Sequence, residues 1–313
     1  MDLNLFEFDY DLTWAAFFLN ADEHVYGRYG GRDASGPDER ISLDGLRHAM
    51  RAALAAHQRM PNAKPAAPRD RPLLAENYPA ARRLRRGECI HCHQVYEFRR
   101  EELQAAGRWT KDEVWVYPQP ENVGLILDIN AGDRVRAVAP DSPAGRAGLQ
   151  PGDTLVSLNG VPVASIADAQ YALHRAPRAG TIPVTWQRDG RALNGRLELT
   201  DGWRRTNITW RPSLLDVLPS LSLYGADLSA AEKKALGLSE KRLAFRQDAP
   251  VPRDMQAAGV RAGDIIIGID HQPLEMTVDQ FLGYVRRNYL AGERVTLNLI
   301  RDGKRVDLPL TLR

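Results

Sequence analysis

The residues with the most chemical potential are Cys89-Ile90-His91-Cys92-His93. A C-x-x-C-H spacing lets two thiols add to one haem, with Cys89 and Cys92 as thioethers and His93 as the axial ligand of the iron. The same pair fits thiol–disulfide exchange, because the start of a helix activates one thiol of a C-x-x-C. A metal site of Cys89, His91, Cys92 and His93 is a third use, although ligands so close in sequence strain to surround one ion. The plain alternative is two reduced cysteines at a helix start. Cys89 and Cys92 are the only cysteines in 313 residues, so no other thiol competes with them. A small haem carrier also needs a sixth ligand, yet no methionine lies between Met60 and Met255. That ligand then has to come from Met50, Met60, His57 or His48 upstream, from a remote domain or from a partner, or be absent.

Other chemistry has little support. The sequence has no Gly-rich phosphate loop, no His-Glu-x-x-His and no Gly-Asn-Ser-Gly-Gly nucleophile motif. The expected activity is at most a redox one, electron transfer or thiol–disulfide exchange. The 42 basic residues nearly balance the 40 acidic ones, so no net field draws in nucleic acid or an anionic membrane. Arg82-Arg83-Leu84-Arg85-Arg86 is the local exception. It reads as a solvated face, or as a partner for haem propionates. No apolar run is long enough to span a bilayer, and no signal peptide is visible at Met1. Covalent haem implies export all the same, so the chain reads as one that has lost its N-terminal part.

The elements that must position these residues follow from pattern. Leu12 to Leu19 is a β-rich apolar run. A turn at Asn20–Glu23 and a strand from His24 to Gly30 come next, then a helix from Leu43 to His57 capped by Ser42. Residues 61–80, with Pro61, Pro65, Pro68, Pro72 and Pro79, read as a linker. One helix is expected from Pro79 towards the cysteines and another from Val95 to Ala106. Trp109, Trp115 and Tyr117 can cover a haem face or fill a small core.

From Glu121 the texture changes to short strands with Gly turns. Ser142-Pro143-Ala144, Ala147-Gly148-Leu149 and Pro151-Gly152-Asp153, followed by a strand ending Asn159-Gly160, resemble a PDZ domain of the bacterial protease-associated type. Ala257-Ala258-Gly259-Val260 and Ala262-Gly263-Asp264 repeat the pattern, which reads as a tandem duplication. The first 60 residues are similar to the C-terminal half of a thioredoxin fold, without its cis-proline or its first β-α-β. The chain therefore resembles bacterial thioredoxin-like/PDZ-domain proteins.

The expected fold class is α+β to mainly β: a truncated thioredoxin-like fragment, a short helical segment and two PDZ-like, partly open β-barrels. The expected divisions are 1–60 thioredoxin-like, 61–80 linker, 81–120 cysteine segment, 121–200 first PDZ domain, 201–223 connector and 224–313 second PDZ domain. The resemblance implies a periplasmic or otherwise exported redox-linked adaptor carrying haem c. Its alternatives are a thiol–disulfide exchange protein and a non-redox PDZ scaffold. Its partners would be peptide or protein C-termini, held as an added strand with the carboxylate on backbone N–H groups. In the first module the binding residues are expected to be Val123, Gly124, Leu125, Ile126 and Leu127, with Ala169 and Leu173 opposite. In the second the corresponding stretch is placed at Leu236–Phe245, where the insertion Ser239–Arg242 weakens carboxylate capture.

Overall fold

The computed structural model describes residues 1–65, 71–85 and 87–313, in two compact units, Met1–Ser213 and Leu214–Arg313. Pro68 of the Pro-rich stretch and Arg86 of the arginine run lie outside the described residues.

The first unit opens with a hairpin of β1 (Ala15–Leu19) and β2 (Val25–Gly30), followed by α1 (Leu43–Arg59) packed on β2. Asn20 closes the turn, its Oδ1 accepting from the His24 amide at 2.9 Å. Ser42 caps α1 by accepting the Gly45 amide at 2.9 Å. Pro79–Arg83 is a single 3-10 turn rather than the expected helix, and α2 runs from Gln94 to Ala105.

The module that follows consists of β3 (Leu125–Leu127), β4 (Val135–Val138), α3 (Pro143–Arg146), β5 (Thr154–Leu158), β6 (Val161–Pro162), α4 (Ile166–His174), β7 (Gly180–Arg188) and β8 (Arg191–Leu199). β3 pairs with β4, and the other strands form a separate sheet in the order β6-β5-β7-β8. Asp189 and Gly190 both take left-handed backbone, which matches a tight turn to the twist of β7 and β8. Alternation along β7 sends Ile182, Val184 and Trp186 into the core.

The second unit contains β9 (Gly225–Asp227), α5 (Ala230–Ala235), β10 (Phe245–Gln247), α6 (Arg253–Ala257), β11 (Ile265–Ile269), α7 (Val278–Asn288), β12 (Arg294–Arg301) and β13 (Lys304–Thr311). Its strands form one antiparallel sheet, β13-β12-β11-β10-β9, over a core that includes Phe245, Phe281, Val285 and Leu297.

One clamp recurs in both units. Asp153 accepts from Arg188 Nε at 2.7 Å and from the Gln150 amide at 2.8 Å, while Arg188 also donates to Gly148 O. In the second unit Asp264 accepts from Arg301 Nε at 2.8 Å and from the Arg261 amide at 2.8 Å, and Arg301 donates to Gly259 O. Each clamp ties an x-Gly-Asp turn to the end of a distant strand. Burial opposes the charge on Asp153, but Arg188 and the Gln150 amide together hold its carboxyl below the usual range.

Two features of the expected fold class are corrected. The thioredoxin-like half does not form, because β1 and β2 pair only with each other and belong to no wider sheet. Instead β2 lies against α4, where the Arg28 amide donates to Asp168 Oδ1 at 2.8 Å and Ser165 Oγ donates to Arg28 O at 2.5 Å. The expected partly open barrels are open sheets in a mixed α/β fold.

Burial pushes the Asp168 carboxyl up to about 6, although the Arg28 and Ala164 amides and Ser165 Oγ all favour its charged form. A raised carboxyl pKa means that the folded unit holds the proton more tightly than the unfolded chain. That contribution is complete below the ordinary value of 3.8 and is lost as pH rises through about 6. Thermal melts should therefore show Asp168 lowering the first unit's stability between these values, and Asp168→Asn should flatten that slope. An unchanged slope in the variant would remove Asp168 as its source.

Candidate functional site

The structure places Cys89, Cys92 and His93 at the solvent-facing start of α2. Both thiols are free and exposed. His93 Nδ1 lies 3.0 Å from Glu97 Oε1, and its ring stacks on that of His91. The opposite side of α2 is already filled, since Val95 and Phe98 pack with Leu3, Tyr10 and Tyr78. Arg83 pairs with Glu101 and lies over Phe98 instead of facing an anion site. Trp115 and Tyr117 are buried core residues. Among the described residues no three His, Cys, Asp or Glu side chains converge to hold a metal ion. These residues do not fit haem c: the thiols border water, and the chain's own side chains occupy the apolar surface that a macrocycle would need. The haem expectation for Cys89, Cys92 and His93 is corrected on that ground.

The strand–helix groove of each module is the remaining candidate site. In the first, Gly124 takes left-handed backbone directly before β3. A Cβ there would meet Ser142 at 2.2 Å or less, so the position requires glycine. Gly124 O accepts from the Ala139 amide and the Asp128 amide donates to Arg134 O, so the residues between alternate. Ile126 turns its backbone groups to β4, and Leu125 and Leu127 turn theirs to the outer edge. Of the expected binding residues, Val123, Leu125, Ala169 and Leu173 are fully buried, Leu127 nearly so, and Ile126 is half-buried.

Helix α4 flanks that edge, and the chain itself covers its outer side. Tyr117 stacks on His174 with ring centroids 4.1 Å apart, and its amide donates to His174 Nδ1. Burial holds the His174 imidazole down at about 3, so the nitrogen is a neutral acceptor. The Arg28 guanidinium sits 3.6 Å over the Tyr171 ring, and Tyr171 Oη donates to Glu7.

In the second module the edge strand is β9. Tyr224 O accepts from the Asp248 amide and the Leu228 amide donates to Ala244 O, which leaves Gly225 and Asp227 facing outward. Ala226 and Asp227 are exposed, and β9 is the last strand of its sheet. The Asp227 carboxylate accepts the Val278 amide at 3.1 Å and so fixes the start of α7 beside the strand. Leu236–Phe245, where the sequence pointed, instead runs from the end of α5 to the first residue of β10. The missed signal was Leu223-Tyr224-Gly225-Ala226, which answers Asn122-Val123-Gly124-Leu125. A Cβ on Gly225 would lie 1.7 Å from Arg246 O, so glycine is required there too.

Residues 134–188 match the family model for the PDZ domain. PDZ modules take peptide or protein C-termini, so the expectation of such partners stands. Among the described residues no helix is long and apolar enough to cross a membrane.

The chain is 28% identical over 153 residues to periplasmic serine endoprotease DegP of Salmonella typhimurium, covering 48% of this chain and 29% of that protein. It is 28% identical over 215 residues to the probable DegP-like periplasmic serine endoprotease of Pseudomonas fulva, covering 65% and 43%. It thus spans less than half the length of these relatives. A solved serine endoprotease from Yersinia pestis is 28% identical over 25% of this chain and 28% of that one, with a TM-score of 0.22. The HtrA3 PDZ domain bound to a phage-derived ligand is 24% identical over 31% and 70%, with a TM-score of 0.20.

These relatives correct the expected resemblance to thioredoxin-like haem proteins, and with it the redox adaptor and the expectation of at most a redox activity. They are serine endoproteases. They are also periplasmic, and the expected periplasmic or otherwise exported location holds.

Proposed function

We propose that this chain serves periplasmic proteolysis of the DegP type by capturing peptide segments of its substrates on PDZ modules. The observation that carries this reading is the open edge of β9 beside α7. Exposed Ala226 and Asp227 border backbone groups that no neighbouring strand uses. An extended peptide satisfies such an edge by adding a strand, and its terminal carboxylate accepts charge-assisted bonds from amides of the preceding loop. Serine endoproteolysis comes from the relatives. We assign no nucleophile among the described residues, where no serine hydroxyl is hydrogen-bonded to a histidine.

The test is a titration of the full chain with fluorescent peptides ending in an apolar residue, as free acids and as C-terminal amides. Saturable binding of the acid, about ten-fold tighter than the amide, is the expected result. The absence of saturable binding by either form would overturn the reading. Casein cleavage by the purified chain, abolished by a serine-directed inhibitor, would add hydrolysis to capture.

A further inference from the structure

We propose that the groove of the first module is a receptor for the chain's own residues 28–48, and that it accepts an external peptide only when this segment lets go. The inference rests on reading the modules as peptide receptors.

Six contacts carry it. At the start of α4, both backbone groups of Arg28 are engaged, the amide by Asp168 and the carbonyl by Ser165. At the loop before β3, Gln119 Nε2 donates to Arg32 O at 2.9 Å and Arg40 pairs with Glu121 at 2.5 Å. Beyond the other end of β3, Ser42 Oγ donates to Ile129 O at 3.1 Å. Next to that contact, His48 Nε2 lies 2.9 Å from Asp133. Residues 28–48 therefore reach the helix and both ends of the edge strand, where an added peptide would have to lie.

The burial pattern agrees. Leu125 is 0% exposed and Leu127 4%, backbone included, although their outward groups are the ones a ligand strand would use. The equivalent edge in the second module is open at Ala226 and Asp227. The two edges thus differ in exposure, and residues 28–48, which reach both ends of β3, have no counterpart in the second unit.

Gly45 shows how close the fit is. It lies inside α1, where alanine is the better helix former, yet a Cβ would come within 2.3 Å of Ile129 O and 2.9 Å of Tyr29 Oη. A side chain there pushes the segment away from Ile129 O, beyond the end of β3, and also crowds Ser42 Oγ, which caps α1, at 3.0 Å.

The experiment uses the full chain. Amide hydrogen exchange at Leu125 and Leu127 is measured in the parent and in Gly45→Leu, with core amides of β7 and β8 reporting that the module is folded. Slow exchange in the parent and faster exchange in the variant are expected. Fast exchange in the parent overturns the proposal without any variant. So does unchanged slow exchange in a folded Gly45→Leu. Should Gly45→Leu fail to fold, Arg40→Ala, which removes the pair with Glu121 and the pair with Asp33 inside the segment, is expected to raise exchange in the same direction, and no rise overturns the proposal. Peptide stoichiometry separates this inference from the functional reading. One peptide per parent chain and two per Gly45→Leu chain support both, whereas two per parent chain overturn the inference alone. Protected amides that Gly45→Leu releases, with no peptide bound by either protein, leave self-docking standing and remove peptide capture.

Discussion

Arg211→Met should destabilise the first unit by about 3–5 kcal/mol, read as a fall of roughly 10 °C in its thermal midpoint. Arg211 is 1% exposed and holds two carboxylates that are themselves buried, Asp9 and Asp11. Its Nη1 lies 2.7 Å from Asp9 Oδ1 and 3.0 Å from Asp11 Oδ2, while Nη2 donates to Asp9 Oδ2 and Val116 O. Ser213 supports Asp11 through its amide and its hydroxyl. Removing the guanidinium leaves buried negative charge with no cation, and a bare Val116 carbonyl, so the penalty is desolvation without compensation. Burial already pushes the Asp9 carboxyl above its usual range, despite Arg211. Without Arg211 that carboxyl takes up a proton more readily, so the loss should shrink as pH falls. Replacing Asp9 with Asn in the same background should recover part of the loss. Equal losses at pH 5 and pH 8 would show that the cost is packing and not charge.

The sequence made some of this architecture legible and hid the rest for identifiable reasons. Asp189-Gly190 and Asp302-Gly303 announce their hairpins, because both residues of each pair take the left-handed backbone that a two-residue turn demands. Ser42 likewise marks the start of α1, since its hydroxyl accepts an amide that the helix leaves unpaired. Long-range contacts leave no such mark. Nothing local to Arg28 shows that its backbone meets Asp168 and Ser165, and without that contact a hairpin followed by a helix resembles half of a larger sheet fold. The cysteine spacing shows that two thiols are adjacent, but not that Val95 and Phe98 already have partners in Leu3, Tyr10 and Tyr78. In the second module α5 is inserted between the edge strand and the next one. The glycine loop before β9 thus stands farther from Gly259 than Gly124 does from Gly148, and an alignment by distance lands on Leu236–Phe245 instead.

Asp227→Pro should weaken peptide binding by about ten-fold, while Asp227→Ala should leave it within about three-fold. The pair isolates one backbone group. Residue 227 directs its N–H outward, where an added strand would accept it, and proline has no such donor. The pairing of β9 with β10 runs through Tyr224, Ala226 and Leu228, so proline at an outward-facing edge position spares the sheet. Both substitutions lose the carboxylate that accepts the Val278 amide at the start of α7, a capping loss of about 1 kcal/mol in each. Any difference between them therefore reports the strand edge and not the helix start. Thermal melts of the two variants should agree closely, and isothermal titration with the free-acid peptide should separate them. If alanine weakens binding as much as proline does, the recognition runs through the Asp227 side chain and α7 rather than through strand addition. If neither changes it, the peptide does not lie along β9.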